Sequence, residues 1–286
     1  MTHRLVHDRY GKQRIHLTWL DREREPHTLR QLVLGIALEG DFAASYTAGD
    51  NTRVIATDSM KNTAYVQARE QGVASLEGFA ARLAAHLVDA YGQVERATVD
   101  AEELPWRPIA TGGAAHPRAF VAGGDVQTAR AIAERGARPE VRSGLRDLRV
   151  LKSGDSGFSD FVDDRYRTLP DTADRLFATA ITAGWARAAD RPGDDRSWSA
   201  DRQAVRVALL DVFASHRSLS VQHTLHAMAA AALDAAPAVA EVTLVLPNQH
   251  HLLVDLSPFG LDNPNRVFVA TEEPYGCIEG TVRRGA

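Results

Sequence analysis

The sequence is poor in cysteine and in lysine, and each shortage excludes something. Cys277 is the one cysteine among 286 residues, so no disulfide can form within the chain, as expected in a reducing compartment. No apolar run approaches the ~20 residues that cross a bilayer. The first residues, MTHRLVHDRYGKQR, lack the apolar core of a secretory signal. The last, VRRGA, are no peroxisomal S-K-L address. These features predict a cytoplasmic protein. A net charge of −4 argues against a nucleic-acid surface, which carries a basic excess. Dinucleotide, Walker and G-x-S-x-G motifs are missing, and Thr111-Gly112-Gly113 has the wrong surroundings for any of them. His223 and His226 sit at i and i+3, and His250 and His251 are adjacent, but no H-E-x-x-H, cysteine pair or third ligand joins them. No metal is expected.

The lysine shortage is more pointed. Of 33 basic side chains three are lysine, Lys12, Lys61 and Lys152, and the rest are arginine. A generic surface cation in this chain is arginine, so a lysine marks a place where arginine cannot serve. Arginine keeps its proton, whereas lysine can lose its own when buried or set beside another cation. Chance survival of three lysines is the bland alternative.

Apolar residues make up 44% and charged residues 24%, ordinary globular values that permit one large domain or two of usual size. Alternation predicts a strand over 14–19, with Ile15 and Leu17 on one face, and another over 29–38. YTAGDNT reads as turns. A short helix over 59–70 follows, capped by Thr57 or Asp58. Leu76, Phe79, Ala80, Leu83, Leu87, Val88 and Tyr91 form one face of a second helix. Strands over 94–104 and 119–133 flank a loop, ATGGAAHPR. The second half repeats the order. It has strands over 140–152 and 175–186, then a hydrophilic loop, DRPGDDRSWSADR. A helix carrying Val205, Leu209, Val212, Phe213 and His216 follows, and then one from Ser220 carrying Leu225, Met228, Ala232 and Leu233. Strands over 241–257 and 266–282 close the chain around Asn263-Pro264-Asn265. Each half reads strand, strand, helix, helix, strand, strand. The expectation is an α+β fold in two domains, 1–138 and 139–286, with antiparallel sheets and helices on one face.

Several polar clusters could carry chemistry. Lys12 in Tyr10-Gly11-Lys12 is either a solvated turn lysine or a base. Thr57 to Thr63 holds more polar groups than a helix cap needs, and a helix mouth favours anions. Phe158 in LKSGDSGF either anchors its loop or offers a flat face. Arg175 is either solvated or a fork for a planar anion. Gln222 stands at a helix mouth. Asn248 and His250 in LPNQHH point to one side of an extended chain, ~7 Å apart, unless a loop or barrel mouth accounts for them.

Together, YGK, GDN with ATDSMKNT, LKSGDSGF, ADR, SVQ, and LPNQHH followed by DL resemble the urate oxidase (uricase) family, in family order from Tyr10 to Gly280. All three lysines fall inside the matching segments. The resemblance implies tandem tunnelling-fold domains (ββααββ) that form a barrel through oligomerisation. It implies a homotetramer with active sites at subunit interfaces. It implies oxidation of urate by O2 to 5-hydroxyisourate and hydrogen peroxide, with no metal or organic cofactor. Lys12, Thr57 and His250 correspond to a proton relay, and Arg175 and Gln222 to a clamp on the substrate edge. Phe158 corresponds to the aromatic platform and Asn248 to the residue holding O2 or water. Asp58 and Val221 would supply backbone groups. Two other readings are another tunnelling-fold purine or pterin enzyme and a non-catalytic purine-binding protein. The missing Cys/His zinc ligands disfavour the first, and the intact Lys12, Thr57 and His250 set disfavours the second. Lys61, Lys152, His223, His226, Cys277 and the 190–202 loop receive no role.

Overall fold

A computed structural model describes residues 3–271 and 273–285. Two compact units are present, Met1–Gly144 with Pro192–Ser199, and Leu145–Arg191 with Ala200–Ala286. The fold is α+β with antiparallel sheets.

In the first unit, β1 (Tyr10–Asp21), β2 (Thr28–Gly40), β3 (Val94–Leu104) and β6 (Val126–Glu134) form a sheet in the order β1-β2-β3-β6, every pair antiparallel. Between β2 and β3 come α1 (Ala43–Thr47), α2 (Thr57–Gln71) and α3 (Leu76–Ala90). α2 packs on β1, and α3 on β3 and β6. The buried faces of β2 (Leu32, Leu34, Ile36, Leu38) and α3 (Phe79, Leu83, Leu87) make one core. The Ser75 hydroxyl caps α3 by accepting from the Gly78 N–H at 2.9 Å, and it also bonds the Asp195 carboxylate. Arg82 reaches the same carboxylate at 3.5 Å.

The strand expected over 119–133 is two strands. β4 (Trp106–Thr111) and β5 (Ala114–Ala122) form a separate hairpin, and the expected loop ATGGAAHPR lies inside it. Gly124, at φ +104, then turns the chain into β6. The β4–β5 hairpin is mostly exposed, so no buried stripe marks where one strand ends and the next begins.

In the second unit, β7 (Glu140–Lys152, from Leu145 on), β8 (Phe177–Arg187), β9 (Val239–Gln249) and β12 (Gly276–Arg283) form a sheet in the order β7-β8-β9-β12. Two helices, α4 (Asp195–Ser215, from Ala200 on) and α5 (Val221–Ala235), bury Leu209, Phe213, Leu225 and Met228 against Phe177, Ile181, Trp185 and Leu244. The hydrophilic loop expected over 190–202 is helical from Asp195. Asp194 and Ser197 cap α4 reciprocally, each backbone N–H donating to the other's side chain at 2.8 Å. The strand expected over 241–257 breaks after Gln249, and β10 (His251–Leu253) pairs instead with β11 (Phe268–Ala270). Among the described residues no helix is long and apolar enough to cross a membrane.

The start of β1 departs from a regular strand. That strand begins at Tyr10, four residues before the expected alternation, because it contains a bulge. Lys12 lies opposite Ile36, but Ile15 lies opposite Leu34, so three steps on β1 match two on β2. Arg14, at φ +56, absorbs the extra residue. Side chains alternate sides along a strand, so one extra residue exchanges the sides. Tyr10 and Lys12 therefore face the same way as buried Ile15 and Leu17, toward the helices. Gly11 sits where the strands press together: a Cβ there would lie 1.9 Å from the Ile36 carbonyl oxygen.

Gly11→Ala should therefore cost about 1–3 kcal/mol in urea denaturation, the usual penalty of overpacking. Gly92→Ala, where a Cβ meets nothing within 4 Å, should stay within about 0.5 kcal/mol of the parent. Equal effects of the two substitutions would contradict the tight approach at the bulge.

Candidate active site

The first unit assembles one group of the expected residues. The Ile55 N–H donates to the Tyr10 hydroxyl at 2.9 Å, and that hydroxyl donates to the Ile55 carbonyl at 3.2 Å. The Tyr10 ring meets Phe42 edge-on at 4.8 Å, and burial raises the phenol pKa, keeping the donor protonated. Ile55 precedes Thr57 by two residues, so this contact fastens the start of α2 to the Lys12 strand.

The expected cap is not there. α2 begins at Thr57, its N-cap is Ala56, and no side chain accepts from its first turn. Asp58 turns outward instead, where its carboxylate takes the Lys61 ammonium and the Asn62 amide, the latter at 3.1 Å. Those partners explain most of the polar surplus. Thr63 adds a bond to the Ser59 carbonyl at 2.8 Å. The Lys61 hydrogen bond is the chief cause of Asp58's lowered pKa, and the Lys12 charge contributes, so Lys12 stands within electrostatic reach of the helix mouth. Among the described residues neither Lys12 nor the Thr57 hydroxyl makes a hydrogen bond.

The second unit assembles the others. α5 leads through a tight turn into β9 and packs on it, so the first turn of α5 lies beside the far end of that strand. Val242, Leu244 and Leu246 form the buried face of β9, and Asn248 continues it. Its cross-strand partner on β8 is Thr179, on the buried face with Phe177 and Ile181. Ser220 caps α5 through the His223 N–H at 3.1 Å, leaving buried Val221 and exposed Gln222 in the opening turn.

The Phe158 loop is stitched to both neighbours. Its Phe158 N–H donates to the Thr172 carbonyl at 2.8 Å, and the Arg175 N–H to the Ser156 carbonyl at 2.7 Å. Toward α5, Gly157 donates to Ser218 at 2.8 Å and Ser218 to Asp155 at 2.9 Å. The Arg175 guanidinium carbon lies 5.3 Å from the Phe158 ring centre. Its Nε is buried without a partner, and burial lowers its pKa. Phe161 lies parallel to Phe158 at 4.6 Å, and Arg167 covers Phe161 at 4.2 Å. His250 follows β9, and its carbonyl accepts from the Thr271 N–H at 2.9 Å. Among the described residues the side chains of Gln222, Asn248 and His250 make no hydrogen bond.

Some residues that the sequence left without a role now have one. The Lys152 ammonium bonds the His216 carbonyl near the end of α4. The His216 ring meets His223 edge-on at 4.4 Å, and burial, then His223 and Lys152, lower its pKa. These contacts brace the peptide leading to Gln222. Tyr10 and Phe161 were missed as site residues, since both act through contacts made only in the folded chain. Cys277 is exposed on β12, opposite Pro247.

Chemically, one group offers a lysine, a hydroxyl and uncapped helix amides. The other offers an aromatic face, a partly unpaired guanidinium, two amides and an imidazole. Among the described residues no three His, Cys, Asp or Glu side chains are placed to hold a metal ion.

Comparison with known proteins agrees in family across the chain. The family profile described as Uricase matches residues 8–131 and 141–279. The uricase of Arthrobacter globiformis is 38% identical over 281 residues, covering 98% of this chain and 90% of that protein. Its crystal structure superposes with a TM-score of 0.91 over 99% of this chain and 96% of that one. A uricase of Danio rerio is 33% identical, covering 96% of this chain and 93% of that protein. Matched almost end to end by the family profile and by these relatives, this protein belongs to the uricase family.

Proposed function

We propose that the chain is a urate oxidase. It converts urate, O2 and water to 5-hydroxyisourate and hydrogen peroxide, the first step of urate degradation. The observation that carries the reading is Arg175 beside Phe158. A half-buried guanidinium whose Nε is buried without a partner, 5.3 Å from an aromatic centre, suits a planar anion that stacks on the ring and is held at its edge. Urate is such an anion.

In this reading Phe158 carries the ring, Arg175 and Gln222 hold its edge, and the backbones of Val221 and Asp58 bind its polar rim. Asn248 holds O2 or water over the ring. The electrons come from urate itself, so the protein has protons to move and reactants to align. Thr57 passes a substrate proton to the Lys12 amine, with His250 completing the relay. A threonine hydroxyl is a poor base alone, and an arginine at position 12 would keep its proton. No cofactor is required.

The chain divides into two tandem tunnelling-fold domains, 1–138 and 139–286, and four copies assemble into a barrel. Lys12 and Thr57 of one copy meet Phe158, Arg175, Gln222, Asn248 and His250 of its neighbour. The division of labour between the groups supports this arrangement: the first has Lys12 and Thr57 without an aromatic platform, and the second has the Phe158 platform while its lysine, Lys152, is bonded to the His216 carbonyl. An exposed Cys277, with no second cysteine in the chain, is consistent with a cytoplasmic enzyme.

Loss of urate absorbance, O2 uptake and peroxide formation should proceed in protein treated with a chelator. No turnover, or turnover abolished by the chelator, overturns the proposal. Lys12→Arg and Thr57→Ala should each lower kcat about 100-fold, the scale of a lost general base; wild-type kcat in both would remove the relay. Phe158→Ala should weaken urate binding about 5–10-fold by the loss of one aromatic contact, and an unchanged Kd would remove the platform.

A further inference from the structure

We propose that Tyr10 is the positioning residue that sets Lys12 against Thr57, a role that rests on the relay proposed above. Its hydroxyl takes the N–H and gives to the C=O of one residue, Ile55, at 2.9 and 3.2 Å. Bonds to the two peptide groups that flank Ile55 fix the orientation of its backbone as well as its distance. Tyr10 is two residues from Lys12 on β1, and Ile55 is two residues from Thr57.

Little else ties the Ile55 backbone down. Among the described residues, the Ile55 N–H and C=O have no other partner. The Ile55 side chain is buried, 6% exposed, so both polar groups would lose their partners at low exposure if the hydroxyl were removed. Around them, Gln93 holds the Arg53 carbonyl at 2.8 Å, and Val54 closes a turn onto Asn51 at 3.0 Å. Neither contact reaches β1. The Phe42 ring holds Tyr10 by its edge, and the bulge holds the strand by its register. Among the described residues the hydroxyl makes the hydrogen bonds that join that assembly to the chain ahead of α2, where the Ile55 side chain enters the same core. The aromatic ring and the hydroxyl thus have separate duties: packing belongs to the ring, and placement of Thr57 to the oxygen.

Tyr10→Phe keeps the ring and deletes the oxygen. Expected are a kcat about tenfold lower with KM within about twofold, since sub-ångström misplacement acts on the reacting geometry more than on substrate contacts. Backbone amide exchange at Ile55 and Thr57 should accelerate, and Tm should fall by only a few degrees. Tyr10→Leu, which also loses the ring, should lose much more in Tm. Wild-type kcat in Tyr10→Phe, unchanged exchange at Ile55, or a loss confined to KM overturns the proposal. So does a Tm loss matching that of Tyr10→Leu, which would assign the hydroxyl to folding. The exchange measurement does not depend on turnover. An inactive wild-type protein would sink the urate reading, while exchange would still decide whether the oxygen places the helix start.

Discussion

The register of β1 against β2 slips by one residue between Lys12 and Ile15, and the first half of the site follows from that slip. A strand presents alternate residues to opposite sides. Without the extra residue, Ile15 and Leu17 in the core would put Tyr10 and Lys12 on the outer side, away from α2. With it, the tyrosine reaches Phe42 and Ile55, and the lysine stands near the helix mouth. The bulge has structural enforcement of its own. Arg14 takes a left-handed conformation, and the backbones at Gly11 and Ile36 approach too closely for any side chain.

The lysine shortage acquires a physical meaning from the folded chain. Lys61 gives its ammonium to Asp58, and Lys152 gives its own to the His216 carbonyl. Each is a compact donor aimed at one acceptor, a task for a point charge more than for a planar fork. Lys12 is different: it makes no hydrogen bond among the described residues, and it serves the proposed chemistry. Two lysines thus brace the surroundings of the two residue groups, and the third belongs to one of them.

The regular elements were legible because their patterns are local. The α3 face, β3 and β7 follow from apolar periodicity within a dozen residues. The bulge was not legible, since Gln13 and Arg14 look like ordinary exposed positions until β2 is laid beside them. The hairpin of β4 and β5 was misread for the opposite reason: its residues are exposed and follow no buried stripe. DRPGDDRSWSADR hid a helix start because Asp194 and Ser197 cap each other inside a run that composition marks as loop. In the site, chain scarcity pointed to Lys12 and polar surplus to Thr57. Arg175, Gln222 and Asn248 each had an ordinary reading beside the functional one, and family motifs tipped the balance. Tyr10 and Phe161 left no local signal, because what makes them useful is a partner 45 residues away in one case and ring stacking in the other.

Among the described residues, α3, α4 and α5 each have an opening amide that donates to a serine or aspartate side chain, and α2 has none. The omission makes its first turn the least finished part of the unit. A bound anion at that place would supply the acceptor that Ser75 and Ser220 supply elsewhere. Substrate would then act as a piece of secondary structure, completing a helix on arrival and leaving it frayed on departure. Affinity and local order in the first turn of α2 would then be two readings of a single equilibrium.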